Sequence, residues 1–214
     1  VEDILRNAFN MELAKGNATY SEGVYAVAMD PNTGSILALA GVKHDLETGE
    51  ISADALGTIT NVFVPGSVVK AATLTAGWQY GAISGNQSFV DQPILFAGSA
   101  PINSWFTTYG SRSITAVEAL EYSSNTYMVQ LALNMLGTPY SPNMALGTNN
   151  VDASMKKLRS TFAEYGLGTE TGIDLPTEST GYIPKNFTVS NYITNAFGQF
   201  DNYTPMQLAQ YVAT

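Results

Sequence analysis

The sequence predicts an α+β domain that is short of strands. One pair of apolar, β-favourable runs flanks a single tight-turn signal, and helical periodicity recurs through most of the remaining chain. At 214 residues, 45% apolar and 11% aromatic, the chain can bury a sizeable core and is not disordered by composition.

The chain opens in a helix, because Ile4, Leu5, Ala8, Phe9 and Leu13 recur at helical spacing. Residues 24–29 and 35–41 are the two strands, joined by Asp30-Pro31-Asn32-Thr33-Gly34, whose Pro and Gly favour a hairpin turn. A helix is predicted over 67–80, introduced by Val64-Pro65-Gly66. Residues 81–112 are rich in Gly, Ser, Asn and Pro and read as irregular, with at most short strands. Two helices, 113–122 and 125–136, are broken at Ser123-Ser124, and a third covers 151–165. Residues 166–184 are turn-rich, and helical patterns return near Tyr192 and Pro205. The first residue is Val1 rather than Met, and the last residues stop inside a helical pattern without a capping signal, so both ends are expected to be cuts. No signal peptide or long apolar run is present, which in a piece leaves export and anchoring open.

Charge and rare residues remove whole classes of chemistry. With 18 acidic and 9 basic residues the net charge is −9, so no basic face exists for a nucleic acid. There is no cysteine, which excludes disulfides, thiolate catalysis, Fe–S clusters and Cys-ligated zinc. One histidine, His44, cannot make a multi-His metal site, and no metal or other cofactor is expected. His44 lies in a polar stretch read as a solvated loop. If the chain is an enzyme, its base is something other than histidine.

Pro65-Gly66-Ser67-Val68-Val69-Lys70 is the first candidate for chemistry. Pro and Gly stop regular structure and set Ser67 at a helix start. Lys70, three residues on, shares its face. A serine is a poor nucleophile until a base takes its proton. A lysine without a neighbouring carboxylate, near the positive end of a helix, can be that base. The same helix start aims backbone N–H groups at a developing oxyanion. A second Ser-x-x-Lys, Ser154-Met155-Lys156-Lys157, lacks the Pro-Gly lead-in and reads as a solvated face of an amphipathic helix.

Tyr122-Ser123-Ser124-Asn125 is the second candidate, at the break between two helices. Ser123 could relay a proton to a leaving amine, and the Asn125 amide could hold a substrate amide through donor and acceptor together. The same residues also make an ordinary N-cap cluster.

A Ser-x-x-Lys helix start followed by a Ser-x-Asn helix break belongs to the signature of class A β-lactamases and penicillin-binding proteins. The whole chain resembles the transpeptidase domain of class B penicillin-binding proteins, most of all the 2B type of Gram-positive bacteria. The residues that carry this are the hairpin around Asp30-Pro31-Asn32-Thr33-Gly34, Val64-Pro65-Gly66-Ser67-Val68-Val69-Lys70 and Glu121-Tyr122-Ser123-Ser124-Asn125-Thr126. Gly166-Leu167-Gly168 with Thr171-Gly172-Ile173-Asp174-Leu175-Pro176, and Phe197-Gly198-Gln199 with Thr204-Pro205-Met206, extend it.

The resemblance implies a β-lactamase/transpeptidase-like fold, a helical cluster plus helices on an antiparallel sheet, truncated before the C-terminal strands. It implies a serine D,D-transpeptidase that cross-links peptidoglycan stem peptides through an acyl-enzyme on Ser67. Lys70 and Ser123 would be catalytic with it, Asn125 would bind substrate, and β-lactams would block Ser67. It places the parent protein at the extracytoplasmic face of the bacterial membrane, anchored by a segment outside this chain and working in a cell-wall synthesis complex.

One departure bears on this: no Lys-Thr-Gly or Lys-Ser-Gly occurs. In the family that motif lies on a strand that supplies a second oxyanion donor, and losing one such donor costs about 3–4 kcal/mol. Residues 1–214 are therefore expected to be a partial domain, inactive alone. The rival readings are a β-lactamase or β-lactam sensor of the same fold, and a non-catalytic surface module. Against the first, no Glu-x-x-Leu-Asn stretch is present, and Glu164, Glu170 and Glu178 read as solvated. Trp105 reads as a loop-anchoring aromatic, with a place on a cleft rim as the alternative. Met128, Leu131, Ala132 and Met135 read as helix core.

Overall fold

In a computed structural model that describes residues 1–214, the elements in chain order are α1 (Glu2–Ala14), β1 (Gly23–Met29), β2 (Ile36–His44), β3 (Ile51–Ala53), α2 (Gly57–Thr60), α3 (Lys70–Gln79), β4 (Ser88–Asp91), β5 (Arg112–Thr115), α4 (Ala116–Glu121), α5 (Asn125–Leu136), α6 (Val151–Glu164), α7 (Val189–Asn195) and α8 (Pro205–Ala213). They form two compact units. The first contains Val1–Phe63, Tyr165–Tyr182 and Asn202–Thr214, and the second contains Val64–Glu164 and Ile183–Asp201.

The first unit is built on an antiparallel sheet of order β1-β2-β3, in register from Gly23 opposite Lys43 to Ala28 opposite Ala38. The predicted hairpin closes it: the Asp30 carboxylate accepts from the Asn32 N–H at 2.9 Å, an Asx turn of the kind Asp favours. α8 lies against β1 and α1 against β2. α8 starts at Thr204 with a capping box to Gln207 and Pro205 in the first turn, which satisfies its free N–H groups locally.

In this unit the sequence misleads at His44. The residue ends β2 and is buried rather than solvated. Its ring meets Phe9 edge-on at 5.5 Å, and its Nδ1 lies 2.9 Å from the Ser21 carbonyl oxygen. β3 and α2, three and four residues long, fall below the length at which periodicity is readable.

The second unit surrounds α5, which is mostly apolar and has ten of its twelve residues buried, as a central helix must. α3, α6 and α7 pack on it, together with β4. Met128, Leu131, Ala132 and Met135 are in this core, as their spacing predicts. The helix stops at Gly137, whose φ of +76° suits glycine.

Residues 112–115 correct the predicted helix over 113–122. Arg112–Thr115 pair with Ser88–Asp91 as β5 and β4, in register from Ser88 opposite Thr115 to Asp91 opposite Arg112. Thr115 then caps the short α4 through a box with Glu118. Ser154 is a second correction, because it is buried and donates to the Met135 carbonyl at 3.2 Å. Only the lysines of that motif are exposed.

Candidate active site

The second unit brings Lys70, Ser123 and Asn125 together. Pro65 precedes a 3-10 turn, Gly66–Val69, that runs directly into α3, so Ser67 stands exposed in the first turn while Lys70 opens the helix proper. Lys70 lies on the buried face of α3 with Thr73, Leu74 and Gly77. The residue is only 2% exposed.

The Lys70 ammonium spends its three protons on the break between α4 and α5. It donates to the Ser123 carbonyl at 2.7 Å, to Ser123 Oγ at 3.0 Å and to Asn125 Oδ1 at 2.8 Å. Burial pulls its pKa down to about 8, against an opposing pull from the Asp91 charge. A pKa drawn toward neutrality lets part of the population carry a neutral amine near neutral pH, the form a base requires. None of the ammonium's hydrogen bonds goes to Ser67.

The turn that offers these acceptors is locally constrained. Ser123 has φ +53°, a conformation most residues avoid, and its N–H donates to Leu120 O at 3.1 Å. The two readings of Ser123-Ser124-Asn125 divide between its members. Ser124 is the N-cap of α5, its Oγ accepting from Tyr127 N–H at 2.9 Å. Ser123 and Asn125 face the lysine instead. Asn125 differs from expectation in one respect: its Oδ1 is held by Lys70 and its Nδ2 donates to Asn103 O at 3.2 Å, leaving one amide proton for a ligand.

The turn that carries Ser67 is clamped by a segment far away in sequence. Gly66 N–H donates to Gly198 O at 2.9 Å, and a Cβ on Gly198 would fall 1.9 Å from the Gly66 carbonyl oxygen. Only glycine permits that approach, and its φ of +79° demands glycine as well. The segment is fixed by a buried cluster: Arg159 donates to both oxygens of Asp201, at 2.8 and 2.6 Å, and Asn195 Nδ2 donates to Asp201 Oδ2 at 2.8 Å.

Sequence reasoning missed Asp91 and Ser104. Asp91 ends β4, 1% exposed, and takes hydrogen bonds from Ser104 Oγ at 2.9 Å and from Ser124 Oγ at shorter range. The available signal was an acid closing the short apolar run Phe89-Val90, inside a stretch read as irregular. Trp105 anchors its loop, as expected: its indole N–H donates to Tyr122 O at 2.8 Å while its face stays exposed. Beside it Arg112 lies 4.3 Å from the ring centroids of both Phe106 and Tyr122. Glu164 and Glu170 are exposed, whereas Glu178 is half-buried and accepts from Thr171 N–H at 2.7 Å.

Residues 24–214 match the family model of the penicillin-binding protein transpeptidase domain. Penicillin-binding protein 2B of Streptococcus pneumoniae is 67% identical over 215 residues, covering all of this chain and 32% of that protein. Its solved structure superposes with a TM-score of 0.97 over all of this chain and 35% of its own. Penicillin-binding protein H of Bacillus subtilis is 40% identical over the full chain, which covers 29% of it. The Escherichia coli protein named peptidoglycan D,D-transpeptidase FtsI is 32% identical over 91% of this chain and 30% of its own length. The chain thus spans about a third of the length of the curated relatives it matches.

Proposed function

Because this chain belongs to the penicillin-binding protein transpeptidase family, we propose that residues 1–214 are the part of a serine D,D-transpeptidase domain that holds the nucleophile. In this reading Ser67 Oγ attacks the carbonyl of the penultimate D-alanine of a peptidoglycan stem peptide. Its proton passes to the neutral amine of Lys70. The tetrahedral intermediate expels the terminal D-alanine, whose amine takes a proton through Ser123. The amine of a neighbouring stem peptide then attacks the Ser67 ester, closing the cross-link and restoring the serine. A β-lactam acylates the same hydroxyl and stays there.

The observation that carries this reading is the buried Lys70 nitrogen, held between Ser123 and Asn125 with its pKa drawn toward neutrality. A lysine serving only as a structural charge has no need of burial beside two motif side chains. Because the base is the deprotonated amine, acylation rises with pH up to about 8 and levels off above it. The Lys-Thr-Gly strand and its oxyanion donor would come from outside residues 1–214. No helix of this chain is long and apolar enough to cross a membrane. We assign the anchor to another segment of the protein, and its workplace to the outer face of the bacterial membrane within a cell-wall synthesis assembly.

The test is intact-mass and peptide-mapping analysis of the full-length protein after exposure to benzylpenicillin. One β-lactam per chain on the Ser67 peptide is expected, and Ser67→Ala removes it. An adduct that persists in that variant, or that maps to another serine, overturns the assignment.

A further inference from the structure

We propose that Asp91 is a positioning residue for Lys70: its buried carboxylate braces the turn that presents Ser123 and Asn125 to the ammonium, and it brings an anion to that turn. The inference rests on the reading of Ser67 and Lys70 as the acylating pair.

The bracing is visible bond by bond. Ser104 Oγ accepts from the backbone N–H of Asn125 at 3.1 Å and of Thr126 at 3.3 Å. Ser124 Oγ accepts from Tyr127 N–H at 2.9 Å. Both hydroxyls then donate to Asp91 Oδ2. The first three N–H groups of α5 are therefore gathered through two serines onto one carboxylate. Capping alone does not call for this, because a neutral Ser or Asn caps a helix as well as an acid does. Asp91 Oδ1 is moreover buried with no hydrogen-bond partner. Burying a carboxylate with one oxygen unpaired is costly, so a capping role alone would favour a neutral side chain.

The charge has one evident recipient. Among the elements packed around Lys70, Glu118 turns back to Thr115 and Glu121 is exposed. Arg112, opposite Asp91 in the sheet register, is stacked between Phe106 and Tyr122. On α6, Asp152, Lys156, Lys157 and Glu164 are exposed, and Arg159 is paired with Asp201. The Tyr127 hydroxyl is spent on Gln87 O. The charge of Asp91 works against the desolvation of the Lys70 ammonium.

Asp91→Asn separates bracing from charge. Its amide oxygen can stand where Oδ2 stands and accept both hydroxyls, while its nitrogen replaces the oxygen that has no partner. The acylation rate of the full-length protein by benzylpenicillin is measured across pH. Without the anion the ammonium is easier to deprotonate, so the rising limb should move down by about one pH unit. At about pH 6 the variant should then acylate several-fold faster than wild type. A purely structural loss cannot produce a gain. A limb that superimposes on wild type, or a uniform fall at every pH, overturns the proposal.

If Asp91→Asn does not fold, Ser104→Ala serves. It removes one hydrogen-bond donor from the carboxylate, leaves its charge less screened, and should move the limb upward. An unmoved limb there overturns the proposal equally. A wild-type protein that takes no β-lactam on Ser67 defeats the acylating reading itself. Wild-type acylation with unmoved limbs in the variants defeats only the role of Asp91.

Discussion

The second unit contains the same four-residue pattern twice, and folding has inverted it. At Ser67 and Lys70 the serine is exposed and the lysine buried to 2% exposure. At Ser154 and Lys157 the serine is 2% exposed, and the lysine is exposed with its ammonium 5.2 Å from the Tyr80 ring centroid. Both obey the same periodicity. Lys70 shares the inward stripe of α3 with Thr73, Leu74 and Gly77, whereas Ser154 shares that of α6 with Leu158 and Thr161. What differs is the lead-in. Pro65-Gly66 makes Ser67 part of a first turn with nothing wound above it, while α6 is already a turn old at Ser154. Spacing alone is therefore not chemistry. The position of the helix start relative to the apolar stripe decides which partner is inside.

The largest test of that contrast is the lysine pair. Lys70→Met should reduce the β-lactam acylation rate by about 10²–10⁴-fold, the range that loss of a general base produces. Lys157→Met should leave it within about twofold, since an exposed cation beside a ring contributes about 0.5–1 kcal/mol to stability and nothing to the site. Stopped-flow acylation of the two full-length variants checks both. Equal losses would break the comparison.

Gly198→Ala addresses the clamp on the turn that carries Ser67, for which α6 has no counterpart. The added methyl would meet the Gly66 carbonyl oxygen at 1.9 Å, from a backbone at φ +79°. A loss of about 2–4 kcal/mol in unfolding free energy, with slower labelling of Ser67, is expected. Gly147→Ala, where nothing lies within 4 Å, should stay within about 0.5 kcal/mol in the same denaturant titration.

Much of the fold and the site was legible in the sequence, because the signals were local. The Asp30–Gly34 turn, the bounds of α5 and the Pro-Gly start before Ser67 all depend on residues adjacent in the chain. Failures came where a distant partner decided. His44 looks like loop because its burial comes from Phe9, some 35 residues earlier. Residues 113–115 look helical because the strand that pairs with them, Ser88–Asp91, is too short to announce itself. Asp91 stayed invisible for the same reason: its partners Ser104 and Ser124 lie 13 and 33 residues away. Ser123 and Asn125 were legible only through a family motif. The local chemistry of Ser-Ser-Asn fits an N-cap equally well, and Ser124 is one.

The smallest effect is the most exacting, because it asks whether the second pattern is only structure. Ser154→Ala removes one buried hydroxyl that donates to the Met135 carbonyl, and that carbonyl lies near the end of α5, where intrahelical donors run out. The loss should be about 1 kcal/mol of unfolding free energy, the net value of such a bond, partly offset because alanine suits a helix better than serine. β-Lactam stoichiometry and the pH limb of acylation should not move. A shift in either would mean that α6 communicates with Lys70 through α5, and the two patterns would no longer be independent. A change in stability alone leaves the proposed catalytic pair, Ser67 and Lys70, independent of the helix packing at Ser154.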